Sequence, residues 1–180
     1  AINVNNFNKP ADSLTLKNFQ IEASGWDCKS PTSGDAISLY AIANGGGLTV
    51  LNSEIYGTTE GIIIQGQLIL KNSFIHDIKG SGVGAGSESI IENNKISNTG
   101  TAVAGGHARI SNNEISNNDI GVTGGGWKAG IGEGIISNNI FKNNKIAIDT
   151  EGQTISDNEF INNEKNSSDK RNNWVIDVKN

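Results

Sequence analysis

Asp35 and Glu60 stand at comparable places in the chain, each opening an apolar run, Asp-Ala-Ile-Ser-Leu and Glu-Gly-Ile-Ile-Ile. Two carboxylates brought side by side repel unless a cation lies between them, and a pair of this kind suits an oxygen-liganded ion such as Ca2+. The plainer reading of the same residues is two solvated acids at strand starts. Lys79 and Lys128 are the candidate bases, although an amine takes up that role only where its surroundings lower its pKa. The two histidines, His76 and His107, are too few and too widely separated for a histidine metal site, and no serine or cysteine partner can be placed beside them. His107, after a Gly-Gly pair, reads as a surface residue at a corner. Trp26 and Trp127 lie in polar, loop-like stretches, where a ring serves either as a stacking surface for a sugar or as a lid over one end of the fold.

The element that must position these residues is a repeat. One phrase recurs as Thr-Leu-Lys-Asn-Phe-Gln-Ile, Thr-Val-Leu-Asn-Ser-Glu-Ile, Ile-Leu-Lys-Asn-Ser-Phe-Ile, Ile-Ile-Glu-Asn-Asn-Lys-Ile, Arg-Ile-Ser-Asn-Asn-Glu-Ile, Ile-Ile-Ser-Asn-Asn-Ile-Phe and Thr-Ile-Ser-Asp-Asn-Glu-Phe. Its aligned positions are Asn18, Asn52, Asn72, Asn93, Asn112, Asn138 and Asp157, spaced by 34, 20, 21, 19, 26 and 19 residues. A period of about twenty predicts stacked coils with insertions at a few places. Each coil reads as a strand ending at the Asn, a tight turn, a short second strand, a polar loop and a third strand. The third strands are expected at 35–40, 61–65, 82–86, 101–104, 120–123 and 146–150, with 174–178 closing the series. Period-two alternation in Ile62/Ile64, Ile120/Val122 and Ile146/Ile148 points one face inward. For the fourth coil the alternation leaves open whether Ala102/Ala104 or Thr101/Val103 face in.

Asparagine at the end of the first strand has a physical reason: it tolerates left-handed backbone, and its amide both donates and accepts. Amides stacked about 4.8 Å apart are expected to bond one to the next as a ladder. The glycines, 23 of 180 residues, cluster near strand ends and are expected to serve corners. Residues 1–12 read as an incoming strand or cap, 13–161 as the coils, and 162–180 as a loop and closing strand. The insertions 22–34 and 124–133 carry Trp26 and Trp127.

Composition bounds what such a tube can be. A formal charge of −5 with interspersed acids and bases argues against nucleic acid. No apolar stretch reaches the roughly 18–20 residues of a membrane span, and no signal pattern opens the chain at Ala1. Hydrophobic content of 35% suits a narrow aliphatic interior. Cys28, the single cysteine, allows no disulfide framework. The glycosylation acceptor pattern Asn166-Ser167-Ser168 is short enough to arise by chance in an Asn- and Ser-rich chain.

The segments Ser13 to Ile21, Gly34-Asp35-Ala36-Ile37, Glu60 to Ile64 and Phe74-Ile75-His76-Asp77-Ile78-Lys79 together resemble the pectate lyase superfamily of right-handed parallel β-helices. The resemblance implies an all-β, right-handed parallel β-helix of about seven coils with three strands each, and a secreted or cell-surface protein. It also implies that Asp35 and Glu60 take Ca2+ between protein and uronate, and that a lysine near Lys79 contacts substrate. Four positions depart from the pattern. Ile64 stands where the family has a further aspartate, Asn52 where it often has histidine, Gly80 where its lysine falls, and Ala102 near its catalytic arginine. An arginine stabilises the carbanion of β-elimination and a methyl group does not. The expectation is therefore a polysaccharide-binding β-helix for an acidic glycan with an eroded lyase site. Lys79 is its catalytic candidate, and Trp26, His76, Trp127 and Lys128 are its substrate contacts. A Ca2+-dependent lyase and a ligand-free surface or fibre segment are the alternatives.

Overall fold

The structure, a computed structural model, describes residues 2–3, 13–22, 35–39, 47–64, 66–105, 107–124, 134–150 and 153–168. Its elements are all strands, and every strand pairing is parallel. A seven-stranded sheet forms the first wall, from Ser13–Lys17, Gly47–Leu51, Gln67–Lys71, Ile90–Glu92, Arg109–Ser111 and Ile135–Ser137 to Thr154–Ser156. A thirteen-stranded sheet covers the second and third walls, because Phe74–Gly84 and Lys95–Ala104 run unbroken around the corner between them. The all-β parallel solenoid expected from the repeat is what forms. Five turns, from Gly47 to Asp149, have neighbours on both sides, and the passages before and after them are terminal, so the expected seven is an upper figure for complete coils.

Columns of aliphatic side chains fill the tube. Val50, Leu70, Ile91, Ile110, Ile136 and Ile155 are in register along the first wall, and Ile55, Ile75, Ile96, Ile115 and Phe141 along the second. All of them are buried. At roughly 1.5–3 kcal/mol per buried side chain this stack is the driving force, but it is non-directional and would tolerate a slipped coil. Register comes from the polar residues at the corners.

Each first-wall strand ends on the expected residue, and Asn18, Asn52, Asn72, Asn93, Asn112, Asn138 and Asp157 all have φ between 50° and 57°. These side chains are exposed, so the expected amide ladder does not run through them; within that row Asn52 Nδ2 donates to Asn18 Oδ1 at 3.2 Å. The internal ladder lies one residue later. Asn113 Oδ1 accepts from the backbone N–H and the side chain of Asn94, Asn139 Oδ1 does the same for Asn113, and Asn158 Oδ1 for Asn139, at 2.9–3.1 Å. Toward the N-terminus hydroxyls replace the amides: Ser73 N–H donates to Asn94 Oδ1, and Ser53 N–H to Ser73 Oγ. The left-handed residue reverses the alternation, which turns its successor inward.

A second corner repeats the device. Asp77, Asn98, Asn117, Asn143 and Asn162 have positive φ, and the residues after three of them, Asn118, Asn144 and Asn163, form another amide stack. Among the described residues glycine takes positive φ at Gly57 alone, so the corner role expected of glycine belongs to asparagine. Glycine instead makes room. A Cβ on Gly121 would run into the carbonyl oxygen of Ala147 and approach Phe141 Cδ1 to 3.0 Å.

The third wall begins at Glu60 rather than residue 61 and ends each pass near the expected place. Its inward set differs from simple alternation: Ala102 and Val103 are both fully buried, as are Gly121 with Val122 and Ala147 with Ile148. Ile120 and Ile146 are half-exposed, whereas Ile62 and Ile64 are both buried. Gly82 and Gly121, each before an inward Val, lie against the second-wall side chains of Ile75 and Phe141. Ile2–Asn3 pairs with the strand Asp35–Leu39, in keeping with an incoming strand. Within the stretch expected as a loop, Lys165–Ser167 forms a strand on Ile146–Asp149. The closing strand expected at 174–178 lies outside the described residues.

Asn139→Ala is expected to cost about 2–4 kcal/mol, because it strands the N–H and side-chain amide of Asn113 in the interior, whereas Asn138→Gly should change stability by under about 1 kcal/mol. Urea titration followed by circular dichroism checks the contrast. By the same measurement, Gly121→Ala should destabilise by about 1–3 kcal/mol through overpacking against the next coil.

Candidate functional site

The second wall carries short strands whose alternation buries Ile55 and Ile75 and turns Glu54, Tyr56, Phe74 and His76 outward. Register sets Glu54 beside Phe74 and Tyr56 beside His76. Tyr56 and His76 stack along the tube axis, and Phe74 lies on the same strand as His76. Tyr56 and His76 are 4.9 Å apart at an interplanar angle of 5°, and Phe74 lies against His76 at 3.9 Å and 23°. Lys95 Nζ sits 5.4 Å from the Phe74 ring centre, a cation–π distance.

Polar groups frame the rings. His76 Nδ1 is 2.7 Å from Asp77 Oδ2, and Nε2 is 3.2 Å from Glu54 Oε1. Gln20 Nε2 donates to Glu54 Oε2 at 2.9 Å and to the Tyr56 hydroxyl at 3.1 Å, and Asn98 Nδ2 donates to Asp77 Oδ1 at 3.0 Å. The hydrogen bond from His76, and after it that from Asn98, holds the Asp77 carboxyl below the usual aspartate value. Four coils thus meet at one patch, which combines hydrogen-bonding side chains with aromatic rings.

The corner next to this patch carries one extra residue. Ile78 is in register with Thr99 and Ser81 with Thr101, so Lys79 and Gly80 stand opposite the single Gly100, as in a β-bulge. Glu60 fills the space: its Oε2 accepts the Ser81 N–H at 2.6 Å, and its Oε1 lies where a Cβ on Gly80 would be. Asp35 is in register with Glu60 on the adjacent strand, as the comparable sequence positions led us to expect; its side chain lies outside the described residues. Lys79 is exposed at the bulge, and its N–H donates to the Thr58 carbonyl at 3.1 Å.

The other expected contacts fall as follows. Trp26, Trp127 and Lys128 lie outside the described residues. Ile64 and Ala102 are 4% and 0% exposed, so the positions where the resembled family has an aspartate and an arginine point into the core and bring no charge to the surface. Among the described residues no group of three or more His, Cys, Asp or Glu side chains is arranged to hold a metal ion. Among the described residues Glu60 offers one carboxylate, whose Oε2 is already engaged by the Ser81 N–H; the side chain of Asp35, expected to share a Ca2+ ion with it, lies outside them.

Gln20, Glu54, Tyr56, Phe74 and Asp77 were not singled out from the sequence. Their signal was there: the outward positions of the second strands are large and polar or aromatic in these coils, and Ser97 and Ser116 take over in the next two.

Residues 1–176 match the family model described as a right handed beta helix region. Neither the curated proteins nor the solved structures gave a match to this chain.

Asp77→Asn keeps a residue suited to the left-handed corner, where Asn98, Asn117 and Asn143 occupy the same row, and removes only the charge. Because the folded-state value of Asp77 is depressed, its contribution is present above the ordinary aspartate pKa of about 4 and fades as pH falls through the lowered value. The urea midpoint of Asp77→Asn should therefore lie below wild type near neutral pH, and the gap should close as pH is lowered toward about 3.

Proposed function

We infer that this chain, which belongs to the right-handed β-helix family, binds an extended polysaccharide along the outer face of its second wall. The observation that carries the reading is the patch on the second wall. The Tyr56 ring stacks on His76 across adjacent coils, Phe74 stacks on His76 from the same strand, and Gln20, Glu54, Asp77 and Asn98 present amides and carboxylates around them. Sugars offer hydroxyls to such hydrogen-bonding tips and C–H groups to the free part of an aromatic ring, and a polymer of regular repeat suits a wall whose coils repeat every 4.8 Å or so. An acidic, uronate-containing chain is the preferred ligand in this proposal, with Lys95 as the cationic contact beside the His76 ring. Such polymers are met outside the cell or on its surface, which is where we place the protein.

A second reading, Ca2+-dependent β-elimination with Asp35 and Glu60 on the metal and Lys79 as base, is favoured by one observation, the direct register of Asp35 with Glu60. Incubation with polygalacturonate and with neutral glycans, in Ca2+ or in chelator, separates the readings. Retardation of the protein on a glycan-containing gel without unsaturated product, weakened roughly three- to tenfold by Tyr56→Ala, is the expected result. Calcium-dependent appearance of the unsaturated product's absorbance would make it a lyase. No retardation on any glycan would leave a structural segment.

A further inference from the structure

Both ring nitrogens of His76 face carboxylate oxygens, Nδ1 toward Asp77 and Nε2 toward Glu54. A carboxylate offers lone pairs only. A neutral imidazole has one N–H, so it would leave one of these contacts as lone pair against lone pair, whereas the imidazolium donates to both. We propose that His76 is a protonated clasp between two coils, and that its proton sets how strongly this patch holds an anionic polysaccharide. The second half of this proposal rests on the glycan-binding reading.

The surroundings give the clasp its reach. Glu54 comes from the preceding coil, and its other oxygen is held by Gln20 from the coil before that; Asp77 follows His76 in the chain, and its other oxygen is held by Asn98 from the next coil. Tyr56 and Phe74 both stack on the imidazole ring. Beyond Phe74 the nearest charges are Lys95 and, 3.9 Å from it, Glu114; Ser97, in register with His76, is uncharged. The His76 side chain is only 15% exposed, so water replaces a lost partner poorly.

When the proton leaves, the shorter contact to Asp77 keeps the one remaining N–H. Glu54 Oε1 then faces a bare lone pair and turns away, which unlinks the two coils on their outer surface. The patch also becomes one unit more negative. The clasp holds only while the ring carries both protons and the two carboxylates stay ionised. Affinity for a uronate chain, whose own carboxylates are ionised throughout, should follow the same course.

The test uses the full chain, 15N-labelled, with polygalacturonate as the probe. At about pH 5 the His76 ring should show two N–H groups by NMR, and gel retardation should be about threefold stronger than at about pH 8. His76→Gln should flatten that ratio to one, whereas His107→Gln should leave it intact. A His76 ring with a single N–H at the lower pH overturns the clasp. Retardation that does not change with pH, or a ratio that survives in His76→Gln, overturns its control of binding. If wild type is retarded at neither pH, the glycan reading fails while the ring N–H groups, read on the unmodified chain, still decide the clasp.

Discussion

Asn113 sits inside the tube at 2% exposure, and its amide has no water to turn to. It is satisfied because the coil on one side supplies Asn94 as donor, the coil on the other supplies Asn139 as acceptor, and the Ile91 carbonyl takes the remaining N–H. A slip of one residue would bury an unpaired amide in every coil at once, at roughly 1–3 kcal/mol each. Aliphatic burial makes the chain collapse into a tube, and this polar column chooses among the tubes it could form. Every outward-facing column, and hence every surface patch, inherits its alignment from that choice.

The patch on the second wall is a direct product of this alignment. Tyr56 and His76 are 20 residues apart in the chain and meet because the coils between them close without slack. Where the spacing is disturbed, at Lys79 and Gly80, the backbone needs a filler, and Glu60 supplies it by accepting the Ser81 N–H. That contact gives Glu60 a structural task whether or not it also serves a ligand. Of the two acids expected to act together, Glu60 is anchored to the neighbouring coil, and Asp35 is its strand neighbour through backbone register.

The architecture could be read from the recurring phrase because each of its parts has a mechanical reason: apolar residues for the wall, Asn for the turn. The phrase marks the turn position, and the ladder runs one residue later than the Asn of the turn, since a left-handed residue inverts which neighbour points inward, and the alternation rule does not count it. The second corner was overlooked although the Asn-Asn doublets at 112–113 and 117–118 spell it in the same coil. The site was harder. His76 stood out as a histidine, but its partners Glu54 and Tyr56 are ordinary outward residues of the preceding coil, and they become partners only when register is known to the residue. Ile64 and Ala102 could be seen to depart from the resembled pattern; that they are core residues followed only from the fold.

All the ladder amides are oriented alike: each hands its donors to the carboxamide oxygen of the coil that follows and its spare N–H to a carbonyl of the coil that precedes. The tube therefore has a head and a tail that differ chemically, like the two ends of a filament. Coils of equal length, such as those from Asn94 to Asn113 and from Asn139 to Asn158, each 19 residues, present the same plug and the same socket. Gene duplication of one such unit would extend the column without creating a mismatch, so the length of this molecule is a variable that inheritance can adjust one turn at a time.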